Sequence, residues 1–396
     1  MIYFDSAATT IHKPPQVAAA MVAAMGMGNS GRGAHGHALA AAHAVYNGRK
    51  TIASFFGAEP QQVVFTSGAT ESLNIAIQGL LKPGDHVITT VLEHNSVLRP
   101  LYGLGVDMDI IGLQPNDDLD YAGFKRCLRP NTKAVVITTA SNVTGLLVDI
   151  AFVADFCKRH GLLLIVDAAQ TAGLCVGGGV PDAPSKAHTS NHGASGTPPP
   201  TQKHSPVHVL CFTGHKSLLG PQGIGGMIVH PEISILPNKL GGSGTDSFSH
   251  AQPTQMPERL EAGTLNTPGI AGLAAGVEYI TQAGMGNIFA QSQVFAEYFH
   301  REVSKIPGVK LYSNSALPHV PIVALNIGDM DSATAEFVLS SEYGISVRGG
   351  AHCAPLMHTA LGTREQGAVR FSFSHFNTMQ ELEAAVRAVR SVAKFT

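Results

Sequence analysis

The sequence predicts an α/β fold, in which a mostly parallel (mixed) sheet is covered on both faces by helices and a smaller α+β unit follows. Three observations lead there. Short, continuously apolar runs alternate with helical patterns through the first two-thirds of the chain, as strands buried on both faces require. After Pro268 the pattern changes to long helices followed by short strands. At 396 residues the chain also exceeds the usual size of one hydrophobic core, so two domains are expected.

In chain order, Ala-rich helical segments at 16–25 and 38–56 precede the first apolar run. Strands are expected at 63–66, 86–90, 134–139, 162–166, 207–212 and 225–229, with helices at 70–80, 95–101 and 150–160 between them. Beyond Pro268, helices are expected at 269–281 and 287–306, short strands near 322–326 and 369–373, and a final helix at 379–393. The domain reading is an N-terminal arm (1–14) packed with the small domain, a large domain (15–264) and a small C-terminal domain (265–396). Segment 177–206 breaks the rhythm. It is rich in Gly, Pro, Ser and His and nearly free of large apolar residues, the mark of a mobile insertion. The irregular spacing of His188, His192, His204 and His208 suits solvated loop histidines better than a metal site.

With 44% hydrophobic and 14% charged residues, the composition suits a large enzyme with a deep core and argues against disorder. A net charge of -2 offers no electrostatic reason to expect nucleic acid or an anionic membrane surface. Met1-Ile2-Tyr3-Phe4-Asp5 lacks the basic and apolar regions of a secretory signal. No uncharged apolar stretch reaches the ~20 residues of a spanning helix. Five cysteines, with no C-x-x-C pair, suit neither a disulfide scaffold nor zinc, so no metal and a reducing, cytoplasmic setting are expected.

The chemistry lies at the ends of the predicted strands. Phe212-Thr213-Gly214-His215-Lys216 delivers a lysine into a Gly-His turn, and Val166-Asp167-Ala168-Ala169-Gln170 ends a strand on a carboxylate with a glutamine three residues further on. Pyridoxal phosphate needs this set: an amine to condense with its aldehyde, a carboxylate to keep its ring nitrogen protonated, and a donor for its phenolic oxygen. Ser67-Gly68-Ala69-Thr70-Glu71 is a small-residue turn opening a helix, where Ala69 and Thr70 can donate to a phosphate; an ordinary Ser/Thr helix cap is the other reading. His94 follows a strand and can stack on a ring and exchange protons, or can simply start a helix. Asn142 ends another strand at the same level. Because ligands in such sheets bind at the carboxyl ends of the strands, all these motifs converge on one crevice.

A late motif, Arg348-Gly349-Gly350-Ala351-His352-Cys353-Ala354-Pro355-Leu356, sets a cysteine in a Gly-rich loop with basic neighbours, the surroundings of a nucleophilic thiol. Cys127, Cys157 and Cys211 are expected to be buried small hydrophobes. Arg370, in a short apolar strand, can take a substrate carboxylate bidentately or serve a structural ion pair.

These motifs, from Tyr3–Thr10 to Phe373–Thr378, resemble the class V, fold-type I enzymes that use pyridoxal phosphate, and specifically the cysteine desulfurases. Glu261-Ala262-Gly263-Thr264-Leu265-Asn266 is similar to that family's E-x-G-T-x-N segment, whose threonine reaches the phosphate of a partner subunit. The resemblance therefore implies a homodimer with shared active sites. It implies that Lys216 binds the cofactor covalently, Asp167 pairs with the ring nitrogen, Gln170 binds the phenolic oxygen, His94 stacks on the ring and Asn142 orients cofactor or substrate. Ala69, Thr70, Thr213, His215 and the partner's Thr264 would hold the phosphate. Arg370, with Arg348 and Asn142, would bind L-cysteine, and Cys353 would take its sulfur as a persulfide, releasing alanine. The short R-x-G-x-H-C-A context resembles the SufS-type branch, which hands sulfur to an acceptor protein, more than the NifS/IscS-type branch. Two features depart from the pattern: Ala351 stands where a histidine is usual, and 177–206 lengthens a normally short connection. A selenocysteine lyase, or a class V aminotransferase or β-lyase with Cys353 incidental, is the alternative reading.

Overall fold

The computed structural model describes residues 1–31, 33–176 and 207–394. The chain opens with β1 (Ile2–Tyr3), α1 (Pro15–Met25) and α2 (Gly36–Phe56). Then come β2 (Val63–Thr66), α3 (Ala69–Leu80), β3 (His86–Thr90), α4 (Asn95–Leu104), β4 (Asp107–Ile111) and α5 (Tyr121–Arg126). They are followed by β5 (Thr132–Thr138), α6 (Ile150–His160), β6 (Leu163–Asp167), β7 (Val209–Thr213) and β8 (Gly225–Val229). The last third holds α7 (Thr267–Ala283), α8 (Met285–Val303), β9 (Val309–Leu311), β10 (Ile322–Ile327), α9 (Ser332–Tyr343), β11 (Ile345–Ser346), α10 (Pro355–Leu361), β12 (Val369–Ser372) and α11 (Met379–Val392).

Seven strands form the main sheet in the order β2-β8-β7-β6-β5-β3-β4. β7, β6, β5, β3 and β4 run parallel, and β8 runs antiparallel between β7 and β2. The sheet is mostly parallel and mixed, as the apolar runs predicted. Burial explains those runs. Val135 and Ile137 of β5 pack with Val153 and Phe156 of α6, while their neighbours Ala134 and Val136 pack with Leu73 and Ile77 of α3 on the opposite face. With both faces covered, most positions of the central strands are apolar.

The smaller unit centres on β10, paired antiparallel with β9 and β12, under a core that includes Phe299, Phe371 and Leu382. β1 pairs in parallel with β11, and Phe4 is fully buried in this same core. α7 instead buries Ile270, Leu273 and Val277 with Phe212 of the large sheet and Ile224 just before β8.

Three helices (α5, α9 and α10) and four strands (β1, β4, β9 and β11) have no counterpart among the sequence-predicted elements; β1, β9 and β11 span only two or three residues, too short to show a pattern. β4 is an edge strand whose Asp107 and Asp109 break any apolar run. α5 and α10 span only 6 and 7 residues, too short to show a period. α9 carried legible end signals, Asp331 as N-cap and Gly344 in the left-handed region at its end, but its burial is patchy. The expected insertion at 177–206, with His188, His192 and His204, lies outside the described residues. His208 is not a solvated loop residue: it is half-buried before β7, and its Nδ1 accepts the Leu164 N–H at 3.0 Å. Among the described residues no helix is long and apolar enough to cross a membrane.

Candidate active site

The carboxyl ends of β2, β5, β6 and β7 open on one cavity of about 550 Å3. Ala69, Thr70, His94, Asn142, Asp167, Gln170, Thr213, His215, Lys216, Arg348, Cys353 and Arg370 all line it. Thr264 does not. It is exposed on a separate cavity beside Asn29, Arg49 and Glu261, with Asn29 Nδ2 donating to its hydroxyl at 3.3 Å.

The turn carrying Lys216 is held by the N-terminal arm. The His215 carbonyl accepts from Thr9 Oγ1 at 3.2 Å, the Thr10 N–H at 3.1 Å and Lys13 Nζ at 2.9 Å. Gly214 is required there, because a Cβ would lie 2.8 Å from the Ile224 carbonyl oxygen. Burial, followed by the Arg370 charge, pushes the Lys216 ammonium down to about 8, with Asp167 opposing. Near physiological pH a minor fraction of the amine is therefore neutral and nucleophilic, far more than for an ordinary lysine. Asp167 Oδ1 accepts the Ala169 N–H at 2.9 Å. Burial raises the Asp167 carboxyl, against the Ala169 hydrogen bond and the Lys216 charge. Gln170 Nε2 donates to the Ala7 carbonyl at 3.3 Å.

α3 starts with Gly68 as its N-cap and has no side-chain cap, so the ordinary Ser/Thr cap is not what the turn forms. The first N–H groups of the helix, including those of Ala69 and Thr70, have no intrahelical acceptor and meet the cavity. Gly225 of β8 presses against this turn: a Cβ on it would lie 2.6 Å from Gly68 Cα.

His94 caps α4. Its Nδ1 accepts the Ser96 N–H at 3.0 Å and lies 2.8 Å from Ser96 Oγ, which in turn lies 2.7 Å from Thr70 Oγ1. Burial, with the Lys216 charge next, lowers its pKa to about 4, so the ring is neutral. Because Nδ1 accepts a backbone N–H, the ring proton sits on Nε2. Both readings of His94, helix start and cavity residue, hold at once.

Arg370 makes a structural ion pair and also lines the cavity. It is 1% exposed; Nη2 donates to Asp5 Oδ1 at 2.8 Å and Nη1 to the Asn142 carbonyl at 2.8 Å. Its Nε is buried without a partner, as are Asn142 Oδ1 and His215 Nδ1. Asn142 Nδ2 donates to the His352 carbonyl at 2.7 Å, and the Asn95 N–H donates to the Cys353 carbonyl at 2.7 Å. Between these two clamps His352 and Cys353 adopt φ +51 and +56, the left-handed region. Such a conformation costs a non-glycine residue on the order of 1–3 kcal/mol. Of the five free cysteines only Cys353 is exposed; Cys157 and Cys211 are buried and Cys127 half-buried.

Asp5, Asn95, Ser96, His358 and Thr363 were not marked by the sequence. Only Ser96 had a visible signal, two residues after a helix-starting histidine; Asp5 and Asn95 act through contacts distant in the chain, and His358 and Thr363 through side-chain contacts with His352 and with each other that no local pattern announces.

The family model for aminotransferase class-V matches residues 2–175 and 197–385, nearly the whole chain. The chain belongs to this family. The interruption of the match, after residue 175 and before residue 197, overlaps the Gly/Pro-rich segment. A class-V relative from Methanothermobacter thermautotrophicus, described as a probable cysteine desulfurase, is 30% identical, covering 99% of this chain and 94% of its own. The cysteine desulfurase of Haloferax volcanii is 28% identical over 98% of this chain and 88% of its own. Among solved structures, the apo cysteine desulfurase of Thermococcus onnurineus has a TM-score of 0.88 at 30% identity, covering 100% of this chain and 95% of its own. The Escherichia coli cysteine desulfurase CsdA, in an S-sulfonic acid form, has a TM-score of 0.82 at 26% identity, covering 99% and 94%.

Proposed function

We propose that this class-V chain is a pyridoxal phosphate-dependent cysteine desulfurase, converting L-cysteine to L-alanine and taking the sulfur on Cys353. One observation carries the reading. The exposed thiol shares its cavity with a low-pKa lysine, a strand-end aspartate and a buried arginine that has a donor to spare.

The residues fit the cofactor. The uncapped N–H groups at Ala69 and Thr70, with Thr213 and His215 beside them, form a cradle for its phosphate, and the unpartnered His215 Nδ1 is one polar atom such a group would satisfy. Lys216 would bind it covalently, Asp167 would hold its ring nitrogen and Gln170 its phenolic oxygen. When bound, pyridoxal phosphate supplies an electron sink for charge developing at the substrate Cα. Arg370 Nε is left to receive the substrate carboxylate, with Arg348 lining the same cavity, and Asn142 holds both Arg370 and the Cys353 loop. Lys216 Nζ, poised near neutrality, exchanges protons at Cα, and His94 presents a proton at Nε2. Cys353 Sγ, as thiolate, bonds to the substrate sulfur. The electrons of the broken Cβ–S bond stay with the carbon skeleton, which is protonated and leaves as alanine.

The reading extends to a homodimer whose Thr264 residues complete the partner's phosphate site. In support, Thr264 is exposed and lies outside its own chain's cavity, and Leu236, Leu240 and Phe248 stand 65%, 72% and 101% exposed on the preceding loop. A persulfide on an exposed cysteine is ready for transfer to an acceptor protein, and five free cysteines suit a reducing cytoplasm. The deciding experiment supplies L-cysteine with a reductant to the purified protein and assays alanine and sulfide, with Cys353→Ser alongside and selenocysteine as a parallel substrate. The reading requires alanine from wild type, little from the variant, and one added sulfur on the Cys353 peptide by mass spectrometry. Full cysteine activity in Cys353→Ser would move the assignment to a lyase or aminotransferase.

A further inference from the structure

A chain of three buried side chains runs from the Cys353 loop to the end of α10. His352, His358 and Thr363 are 3%, 1% and 2% exposed. His352 Nε2 lies 3.1 Å from the Arg348 carbonyl oxygen, His352 Nδ1 lies 3.3 Å from His358 Nε2, and His358 Nδ1 lies 2.8 Å from Thr363 Oγ1. The imidazole planes are 9° apart with centroids at 5.5 Å; with the nitrogens at 3.3 Å, this is the separation of rings laid edge to edge for an in-plane hydrogen bond.

The carbonyl orders every proton in this chain. A carbonyl oxygen can only accept, so His352 Nε2 carries a hydrogen. Burial, and then the Arg370 charge, lower the His352 pKa to about 3, and burial lowers that of His358, so both rings are neutral. His352 Nδ1 is then a bare acceptor and His358 Nε2 must donate to it. His358 Nδ1 is bare in turn and accepts from the Thr363 hydroxyl. The short helix α10 makes this possible. It ends at Gly362 in the left-handed conformation, and the Thr363 N–H donates back to the His358 carbonyl at 2.9 Å, setting the hydroxyl beside the ring.

We propose that His358, set by Thr363, is a positioning residue: by donating to Nδ1 it holds the His352 ring in the Nε2–H form that the Arg348 carbonyl requires, and this side-chain clamp holds the left-handed His352–Cys353 backbone that presents Sγ to the cavity. The Asn142 and Asn95 contacts restrain the carbonyls of these two residues; the histidine chain restrains the one side chain between them. The importance of the clamp for turnover rests on Cys353 being the sulfur-accepting thiol, whereas the clamp itself does not.

The test compares His358→Leu, which can neither donate nor accept, with His358→Gln, which can do both, and Thr363→Val. Two measurements need no turnover: the ring 15N signals of His352, identified by their loss in His352→Gln, and the rate of iodoacetamide labelling on the Cys353 peptide of the full chain. A third is kcat and KM for L-cysteine. Wild type should show a protonated Nε2 and a bare Nδ1 on His352. His358→Leu should leave Nε2 protonated against the Arg348 carbonyl but shift the Nδ1 signal as its donor is lost, change the labelling rate several-fold, and lower kcat by about tenfold to a hundredfold with KM little changed, the scale of a displaced reacting group. His358→Gln should restore most of each. Unchanged His352 signals and labelling in His358→Leu overturn the proposal, as does failure of Gln to rescue a folded protein. If the leucine variant does not fold, Thr363→Val decides by the same readouts. Should wild type release no alanine, the desulfurase reading falls, while the 15N and labelling results still judge the clamp.

Discussion

Arg370 and Asp5, 365 residues apart in sequence, form an ion pair at 2.8 Å that ties the N-terminal arm to the floor of the active site. The guanidinium is 1% exposed and spends further donors on Asn142, keeping Nε back. Replacing Asp5 by Asn keeps an acceptor but leaves the buried cation without its counter-charge. We expect the holoenzyme to lose about 1–3 kcal/mol. Saturating L-alanine, whose carboxylate can supply the missing anion, should recover more of the lost Tm in the variant than it adds to wild type. Equal shifts would mean that Arg370 does not meet the carboxylate.

Lys216 gives the site a pH dependence. Its amine is neutral above about 8, so covalent loading of cofactor-free protein with pyridoxal phosphate should speed up by about tenfold per pH unit below that value and level off above it. Between about 8 and the ordinary 10.5 the unfolded chain binds more protons at this lysine than the folded one, so its contribution to the stability of the cofactor-free protein rises with pH. Absorbance during reconstitution reads the first effect and thermal melts the second. A loading rate still climbing steeply at pH 10 contradicts the lowered pKa.

Asp167→Asn keeps the size of the side chain and removes the charge that, on the proposed function, would hold the cofactor's ring nitrogen. Turnover should fall by at least about 10²-fold, the scale of losing one preorganised electrostatic partner, with cofactor still bound and the fold retained by circular dichroism. Near wild-type turnover would remove Asp167 from the mechanism.

At Gly225 the constraint is space. An added Cβ meets Gly68 Cα and the Phe212 carbonyl oxygen, both at 2.6 Å, and neither backbone can yield cheaply. Gly225→Ala should cost about 1–3 kcal/mol of stability as an overpacked site and displace the turn that opens α3. Cofactor retained after gel filtration should drop accordingly. Full retention would separate this turn from the phosphate.

Much of the site was legible because the chemistry is local in sequence. Lys216 and Asp167 each end an apolar run, Ala69–Thr70 open a helix, and the glycines around Cys353 mark a loop; in a parallel sheet such strand ends must share one edge, so the crevice followed from the order of the elements alone. By itself the sequence thus determined the mixed α/β sheet, the smaller α+β unit and most of the cavity residues. Tertiary structure alone decided how those residues are held. Nothing near Asp5 announces that it will neutralise Arg370, and His358 and Thr363 are brought into line with His352 only because α10 ends where it does while His352 lies against the accept-only Arg348 carbonyl. Placing Thr264 outside its own cavity was equally a matter of folding. The physical reason is common to all of these: periodicity and turn chemistry act over a few residues, whereas ion pairs, tautomers and close backbone approaches depend on which distant atoms burial brings within 3 Å.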